Sequence, residues 1–415
     1  MTPRSIAPAA ASDISLTPQA GRGSRAEHPR LRPWKPLHAC NGYESIRAVL
    51  EAQSFSGMFP EMVAPPHGRA RPDKGSLWQT WVSVNRWRRL LRECPAAASC
   101  ELVHAHCFAA GMAAVRTFPT VVYELEQFIE EPGGRAAATR RTRRRILRAA
   151  EWFALSRSAA IVVRSESLRR QLLRRGAAAE HVFVIPRPLP LAEIEGGRIL
   201  PFRKGEPGDR GFTIFSTLNV ASEWQPWLRE LLTAAQAASF EIPRLALHLE
   251  IDRVLHVEAS RLLSQFGPQF AVLLEDEAAS AQAISGCSLV VAGAARQSAV
   301  TAAENPLALA ALCAAKPLLA ADLECNRNVS ANGSGCLWFN PGDAADLGRR
   351  IVFLAAAAAF RHALAASGTR YLRETRSPAR VAEQYDAVYW HALCRRRFGK
   401  WQTPTVSWQP SVAFI

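Results

Sequence analysis

Two histidines one residue apart, His104 and His106, close an apolar stretch that begins at Leu102. On a strand, positions i and i+2 project from one face. Paired imidazoles titrate near neutrality, so they can pass a proton or hydrogen-bond a hydroxyl or phosphate. The same pair could begin a metal site. No third histidine, cysteine or carboxylate stands near them in sequence except Cys107, so no metal is expected. The competing reading is that both rings are structural. Glu124 and Glu126 follow the next apolar stretch, either as site residues or as partners for nearby arginines. Arg164, Arg187 and Arg296 each follow an apolar stretch and could reach a phosphate, bidentately if aligned; the alternative for each is a surface arginine. Ser165 could contact phosphate or cap the helix that follows.

These residues need elements to hold them. Apolar runs at 35–40, 59–64, from 102 to the histidine pair, and at 120–125, 160–163 and 181–185 read as strands. Periodic segments at 43–54, 78–91 and 139–155, a short one after His106 and another after Ser165, read as helices. Strands alternating with helices imply a parallel sheet wound on both faces, with ligand-facing residues just past the strands' carboxyl ends. Gly42 lies at the first strand-to-helix turn, where backbone can approach a ligand. The pattern repeats beyond a Gly/Pro-rich linker at 191–210. Strands are predicted at 212–215, 245–251, 270–274, 288–292, 317–320 and 335–339, and helices at 227–238, 254–266, 279–284, 306–315, 344–364 and 378–393. The domains are therefore a disordered tail (1–32), a first α/β domain (33–190), the linker, a second α/β domain (211–372), a final helix (373–398) and a second tail (399–415).

The net charge of +15 is unevenly spread. Residues 1–190 hold 29 of the 51 basic and 15 of the 36 acidic residues, whereas residues 191–372 hold 15 and 18. The densest run is Arg140, Arg141, Arg143, Arg144, Arg145 and Arg148, on a predicted helix. Such a face is either simply solvated or attracts an anionic membrane surface, at ~1 kcal/mol per charge. No recognisable nucleic-acid module accompanies it, so no nucleic acid is expected. No apolar run reaches the ~18 residues of a membrane span, and residues 1–32 contain no apolar core of a signal peptide. The nine cysteines are scattered without a CxxC, which reads as reduced thiols in a cytosolic protein.

Several motifs, in order, resemble those of GT-B glycosyltransferases of the retaining, family-4 type. They are the HxH pair, the serine closing IVVRS (161–165), VFVIP (182–186), ENPLALAALCAAKPLLAAD (304–322), GSGCLWFNPGDAADLGRRIVFL (333–354) and RVAEQYDAVY (380–389). The resemblance spans roughly residues 35–393. It implies two Rossmann-like domains with parallel sheets facing across a cleft, and a C-terminal helix crossing back to the first domain. It implies transfer of a sugar from a nucleotide-diphosphate sugar to a cell-envelope saccharide, lipid-linked or similar acceptor. It implies no metal, and no cofactor beyond that co-substrate. The location implied is cytoplasmic, at the inner face of the membrane.

By the same resemblance, His106, His104 and Glu304 are the catalytic candidates. Gly42, Arg164, Arg187, Thr217, Arg296, Asn305, Pro306 and Leu307 are the candidates for holding the donor. The chain departs from the family where the chemistry is most demanding. Thr217 stands where the family has arginine after the first strand of the second domain, and Ser222 or Glu223 where it has lysine. Ala302 and Ala310 occupy the positions of the family's two glutamates, with Glu304 two residues out of register. These groups neutralise the departing diphosphate. Their loss raises the alternative of a catalytically inactive relative that serves as a binding or scaffold protein.

Overall fold

The computed structural model describes residues 35–40, 49–50, 53, 61–63, 77–126, 128, 138–189, 211–218, 224–266, 271–275, 277–293, 304–330 and 333–398. The expected tails, the linker and Gly42 lie outside the described residues. All described residues belong to one compact unit, 34–415.

Each half of that unit is built on one six-stranded sheet, and every strand pairing is parallel. The first sheet comprises β1 (Pro36–Ala39), β2 (Glu61–Val63), β3 (Leu102–Ala105), β4 (Val121–Leu125), β5 (Ala160–Val163) and β6 (Val182–Val184), in the order β2-β1-β3-β4-β5-β6. The second comprises β7 (Thr213–Thr217), β8 (Ala246–Glu250), β9 (Ala271–Leu274), β10 (Leu289–Ala292), β11 (Leu318–Ala321) and β12 (Cys336–Phe339), in the order β12-β11-β10-β7-β8-β9. Strands such as LVVA and LLAA are apolar on both faces because helices cover both. The winding reverses between β1 and β3 in one sheet and between β7 and β10 in the other. Beyond the carboxyl ends at such a reversal the crossover helices diverge and leave a crevice.

The helices of the first half are α1 (Leu77–Glu93), α2 (Phe108–Ala114), α3 (Ala138–Arg157) and α4 (Glu166–Arg174). Those of the second are α5 (Trp224–Ser239), α6 (His256–Phe266), α7 (Glu277–Gly286), α8 (Pro306–Cys313), α9 (Glu324–Ser330), α10 (Ala344–Ala356) and α11 (Ala358–Arg376). The last helix, α12 (Pro378–Phe398), returns to the first sheet. Its Val381, Tyr385, Val388, Tyr389 and Ala392 recur at helical spacing and pack on Leu102, Val122, Ala160 and Val162.

One expectation needs correction. The single helix predicted over 344–364 is broken at Ala357 (φ −95°, ψ 67°), where the chain bends by 100°. The break has a cap: Arg361 Nη1 donates to the carbonyls of Leu354 and, at 2.7 Å, Ala355, which the end of α10 leaves unpaired. Good helix propensity in the alanine run cannot hold a helix whose two halves pack in different directions, α10 on α5 and α11 on α8. Helix α11 runs to Arg376, and the final helix begins at Pro378, as expected from the sequence, and continues to Phe398. Among the described residues, no single helix is long and apolar enough to cross a membrane.

Gly335 has φ +78°, and a Cβ there would stand 2.3 Å from the Cα of Gly368. The close approach lets α11 lie against the start of β12. Gly335→Ala is expected to lower the unfolding free energy by at least about 1–3 kcal/mol, from backbone strain alone. A urea denaturation series on the purified chain measures it.

Candidate functional site

The reversal between β1 and β3 holds a buried polar cluster. His38 and His104 are register partners on these strands, so their side chains leave the sheet on one face. Both are fully buried. His106 follows β3, held by a backbone bond from its N–H to the carbonyl of Ala39 (3.0 Å). Glu124 on β4 projects from the same face. Helix α12 covers the group with Tyr385 and Tyr389.

Nearly every polar atom in the cluster has a partner. His38 Nε2 meets Gln53 Oε1 at 2.8 Å, and Gln53 Nε2 donates to the Tyr389 hydroxyl at 2.8 Å. That hydroxyl also meets His104 Nδ1 at 2.8 Å. His106 lies with Nδ1 3.0 Å from Glu124 Oε2 and Nε2 2.8 Å from His38 Nδ1. Glu124 accepts from the Tyr385 hydroxyl at 3.1 Å and pairs with the Arg164 guanidinium. Arg164 Nη1 also donates to Tyr385 (3.2 Å) and to the carbonyl of Ile185 (3.4 Å).

The electrostatics follow from this geometry. Burial by itself would raise the Glu124 carboxyl, but Arg164 and His106 beside it hold it well below the usual carboxylate range. Burial, then the neighbouring His106 ring, push His104 down to about 3. Burial and the other two imidazoles likewise hold His38 well below its ordinary value. Glu126 moves the other way, raised by burial and by the Glu124 charge.

The expectations from sequence meet this arrangement unevenly. His104 and His106 come together with Glu124 and Arg164. The His104 ring, however, is sealed under α12, and both ring nitrogens of His106 face protein groups. Neither ring therefore offers a free nitrogen in an open cleft. Arg164 is committed to Glu124 rather than left for a phosphate. Ser165 is a helix cap, accepting from the Leu168 N–H at 3.3 Å. Arg187 is exposed just past β6.

In the second half, Thr217 ends β7, and the neighbouring Ser216 hydroxyl pins β7 to β10 by donating to the carbonyl of Val291 (2.7 Å). Asn305 caps α8, accepting from Leu307 N–H at 3.0 Å, with Pro306 in the first turn. Its amide also donates to Asn326 Oδ1 at 2.7 Å. Glu304 does not stand free: Arg376 grips both its oxygens, one at 3.0 Å. Ser222, Glu223, Arg296 and Ala302 lie outside the described residues. A cavity of about 540 Å³ beside α11, lined by Pro317, Thr369 and Arg373 among others, touches none of these residues.

Sequence reasoning missed His38, Gln53 and the tyrosine hydroxyls. The signal for His38 was present: PLHA and LVHA carry histidine at the same place on strands that become neighbours. The tyrosines read as apolar positions of the last helix, yet a buried hydroxyl needs a partner. The reason for expecting no metal, that no third ligand stands near the pair, also fails. Strand pairing supplies His38 from 66 residues away.

Residues 42–193 match the model of Glycosyltransferase Family 4. No curated protein matches the chain. Among solved structures, a glycosyltransferase from Rickettsia africae is similar over 88% of this chain and 99% of its own, with a TM-score of 0.62 and 9% identity. HepE of Anabaena in complex with UDP covers 86% of this chain and 99% of its own, with a TM-score of 0.56 and 13% identity. UDP-GlcNAc 2-epimerase from Neisseria meningitidis bound to UDP-GlcNAc covers 86% and 99%, with a TM-score of 0.55 and 9% identity. The fold is GT-B, an architecture found here in both a transferase and an epimerase.

Arg164 neutralises a carboxylate that is otherwise buried among apolar and neutral groups. Arg164→Met is expected to cost about 3–5 kcal/mol, because it strands that charge. Adding Glu124→Gln, which removes the charge but keeps an acceptor, should return part of the loss. Chemical denaturation of the two variants measures this, and a second loss added to the first would contradict it.

Proposed function

We propose, from a GT-B fold whose first lobe matches Glycosyltransferase Family 4, that the chain is a nucleotide-sugar glycosyltransferase. In this reading the second lobe holds a nucleotide-diphosphate sugar. The basic first lobe presents a cell-envelope saccharide or lipid-linked acceptor. The observation that carries the reading is the pair of sheet reversals, β1/β3 and β7/β10, one in each lobe. Open parallel sheets take ligands outside the carboxyl ends of their strands at such reversals, and the first of these carries polar groups oriented by hydrogen bonds. Neighbours of the same fold are described in complex with UDP and with UDP-glucose, which makes UDP-sugars the first donors to test.

Transfer requires positive charge where the diphosphate departs. With Arg164 bound to Glu124, that task falls to Arg187, exposed past β6, and, by their place in the sequence, to Arg296 and Gly42. His106 is the outermost of the three histidines. We assign it to the acceptor-side wall, its ring oriented by Glu124. A second reading, a non-catalytic relative that binds without turnover, draws on the Glu304–Arg376 ion pair. That pair commits Glu304, the carboxylate next to the donor helix in sequence, to a structural contact.

Thermal unfolding with UDP-, GDP- and ADP-sugars separates the two. A donor at 100 times its dissociation constant should add about 2.7 kcal/mol of stability. Release of sugar from that donor, lowered at least about 10-fold by His106→Ala while donor binding persists, is expected for the transferase. Binding without release fits the second reading, and no stabilisation by any donor would remove both.

The acceptor proposal extends to a cytoplasmic site at an anionic membrane surface. Arg144, Arg145 and Arg148 lie on α3, and α1 carries an exposed pair, Trp78 and Trp81, stacked at 4.9 Å beside exposed Leu77 and Val82. Aromatic rings and arginines together suit the headgroup layer. Flotation with vesicles containing anionic lipid is expected to carry the wild-type chain. A variant combining Trp78→Ala, Trp81→Ala, Arg144→Glu and Arg145→Glu should stay behind; equal flotation of the two would refute the membrane role.

A further inference from the structure

The three imidazoles at the β1/β3 crevice pose a problem of proton counting. Each ring has one nitrogen engaged by an outer group: His38 Nε2 by the Gln53 carbonyl oxygen, His104 Nδ1 by the Tyr389 hydroxyl, and His106 Nδ1 by the Glu124 carboxylate. A carbonyl oxygen and a carboxylate only accept. His38 therefore carries its proton on Nε2, and His106 on Nδ1. The nitrogens that remain, His38 Nδ1 and His106 Nε2, face each other across 2.8 Å as two lone pairs. That contact is repulsive unless a positive charge bridges it.

A proton shared between the rings or a metal ion would supply that charge, and a third nitrogen beside them favours the ion. His104 Nε2 is buried beside them, 3.3 Å from a Glu124 oxygen. One ring nitrogen from each of the three histidines lies within 4.8 Å of the other two.

We propose that His38, His104 and His106 bind one divalent transition-metal ion of the zinc class. Three neutral imidazoles, each oriented by a group behind it, form a donor set of the kind that zinc, cobalt, nickel and copper take, and magnesium and calcium do not. Zinc–nitrogen bonds of about 2.0–2.1 Å place tetrahedral ligand atoms roughly 3.3 Å apart. The His38 and His106 rings must then part by about half an ångström, which the mutual repulsion of their lone pairs favours. Glu124, held behind the His106 ring as its acceptor, offsets part of the charge. The ion would sit between the first sheet and α12, bracing the crossing helix through Tyr389. The proposal does not depend on sugar transfer and stands or falls separately from it.

The test uses the full chain, stripped with a chelator and then dialysed against zinc chloride. Elemental analysis is expected to find one zinc per chain, with a higher melting temperature than with magnesium chloride. Zinc-edge X-ray absorption on the wild-type protein is expected to report three imidazole ligands. His106→Ala should lose the ion. His391→Ala should keep it, although His391 and His181 form another histidine pair, at 3.4 Å. With the Gln53 amide reversed, His38 would donate to His106 and no cation would be needed; that arrangement requires a wild-type chain that binds no zinc. Absence of bound zinc, fewer than three imidazoles at the ion, or loss of zinc in His391→Ala rather than His106→Ala would overturn the proposal.

Discussion

A single buried carboxylate, Glu124, sets the terms for the first lobe. Taking such a charge out of water costs several kcal/mol, so the fold must surround it with compensating groups. They come from three separate parts of the chain: His106 just past β3, Arg164 after β5, and Tyr385 on α12, 261 residues away in sequence. The first two contacts need β3, β4 and β5 assembled, and the third needs the last helix to have returned. Glu124 thus acts less as a source of net stability than as a fixed point that specifies where α12 must dock. A purely apolar interface between α12 and the sheet could slide by a helical turn, whereas this one cannot without breaking the buried hydrogen bonds of Tyr385 and Tyr389.

The second joint between the halves has the same character. Arg376, at the end of α11, is nearly inaccessible, and its guanidinium binds Glu304 ahead of α8 and the carbonyl of Asn328 (3.3 Å). Its own carbonyl accepts from Leu189, just past β6 (3.0 Å). One residue therefore ties the donor-side helix, the exit from the first sheet and the start of the crossing helix. The halves are thus tied by hydrogen bonds at α12 and at Arg376 as well as by apolar packing. The four main apolar clusters respect that division: two lie in the second half, one in the first, and the fourth is the α12 contact.

These commitments bear on chemistry. A carboxylate and an arginine that composition would suggest for a phosphate site, Glu304 and Arg164, are both used to hold the architecture. In the proposed function the cationic character needed beside a diphosphate falls in part to Arg187, exposed past β6, and the basic excess of the first lobe includes exposed Arg145 on α3 and Arg170 and Arg174 on α4. A cluster of neutral imidazoles at the sheet reversal has in turn become the most unusual chemical feature of the molecule.

Much of the fold was legible in the residue pattern. Apolar runs of four to six residues alternating with amphipathic segments specify parallel strands and crossover helices, because burial on both faces leaves no other use for such runs. HxH, NPGD and the capped start of α8 at Asn305 could be placed by local spacing alone. Local spacing could not show that His38 lies opposite His104, since that follows from which strands become neighbours. Nor could it show that Gln53 and two tyrosines of the last helix close over them, or that Arg164 and Glu304 are already paired. The division has a physical cause. Secondary structure and capping depend on residues within a turn or two of one another. A buried charge, by contrast, draws partners from wherever the fold brings them, and only the assembled tertiary structure decides which side chains those are.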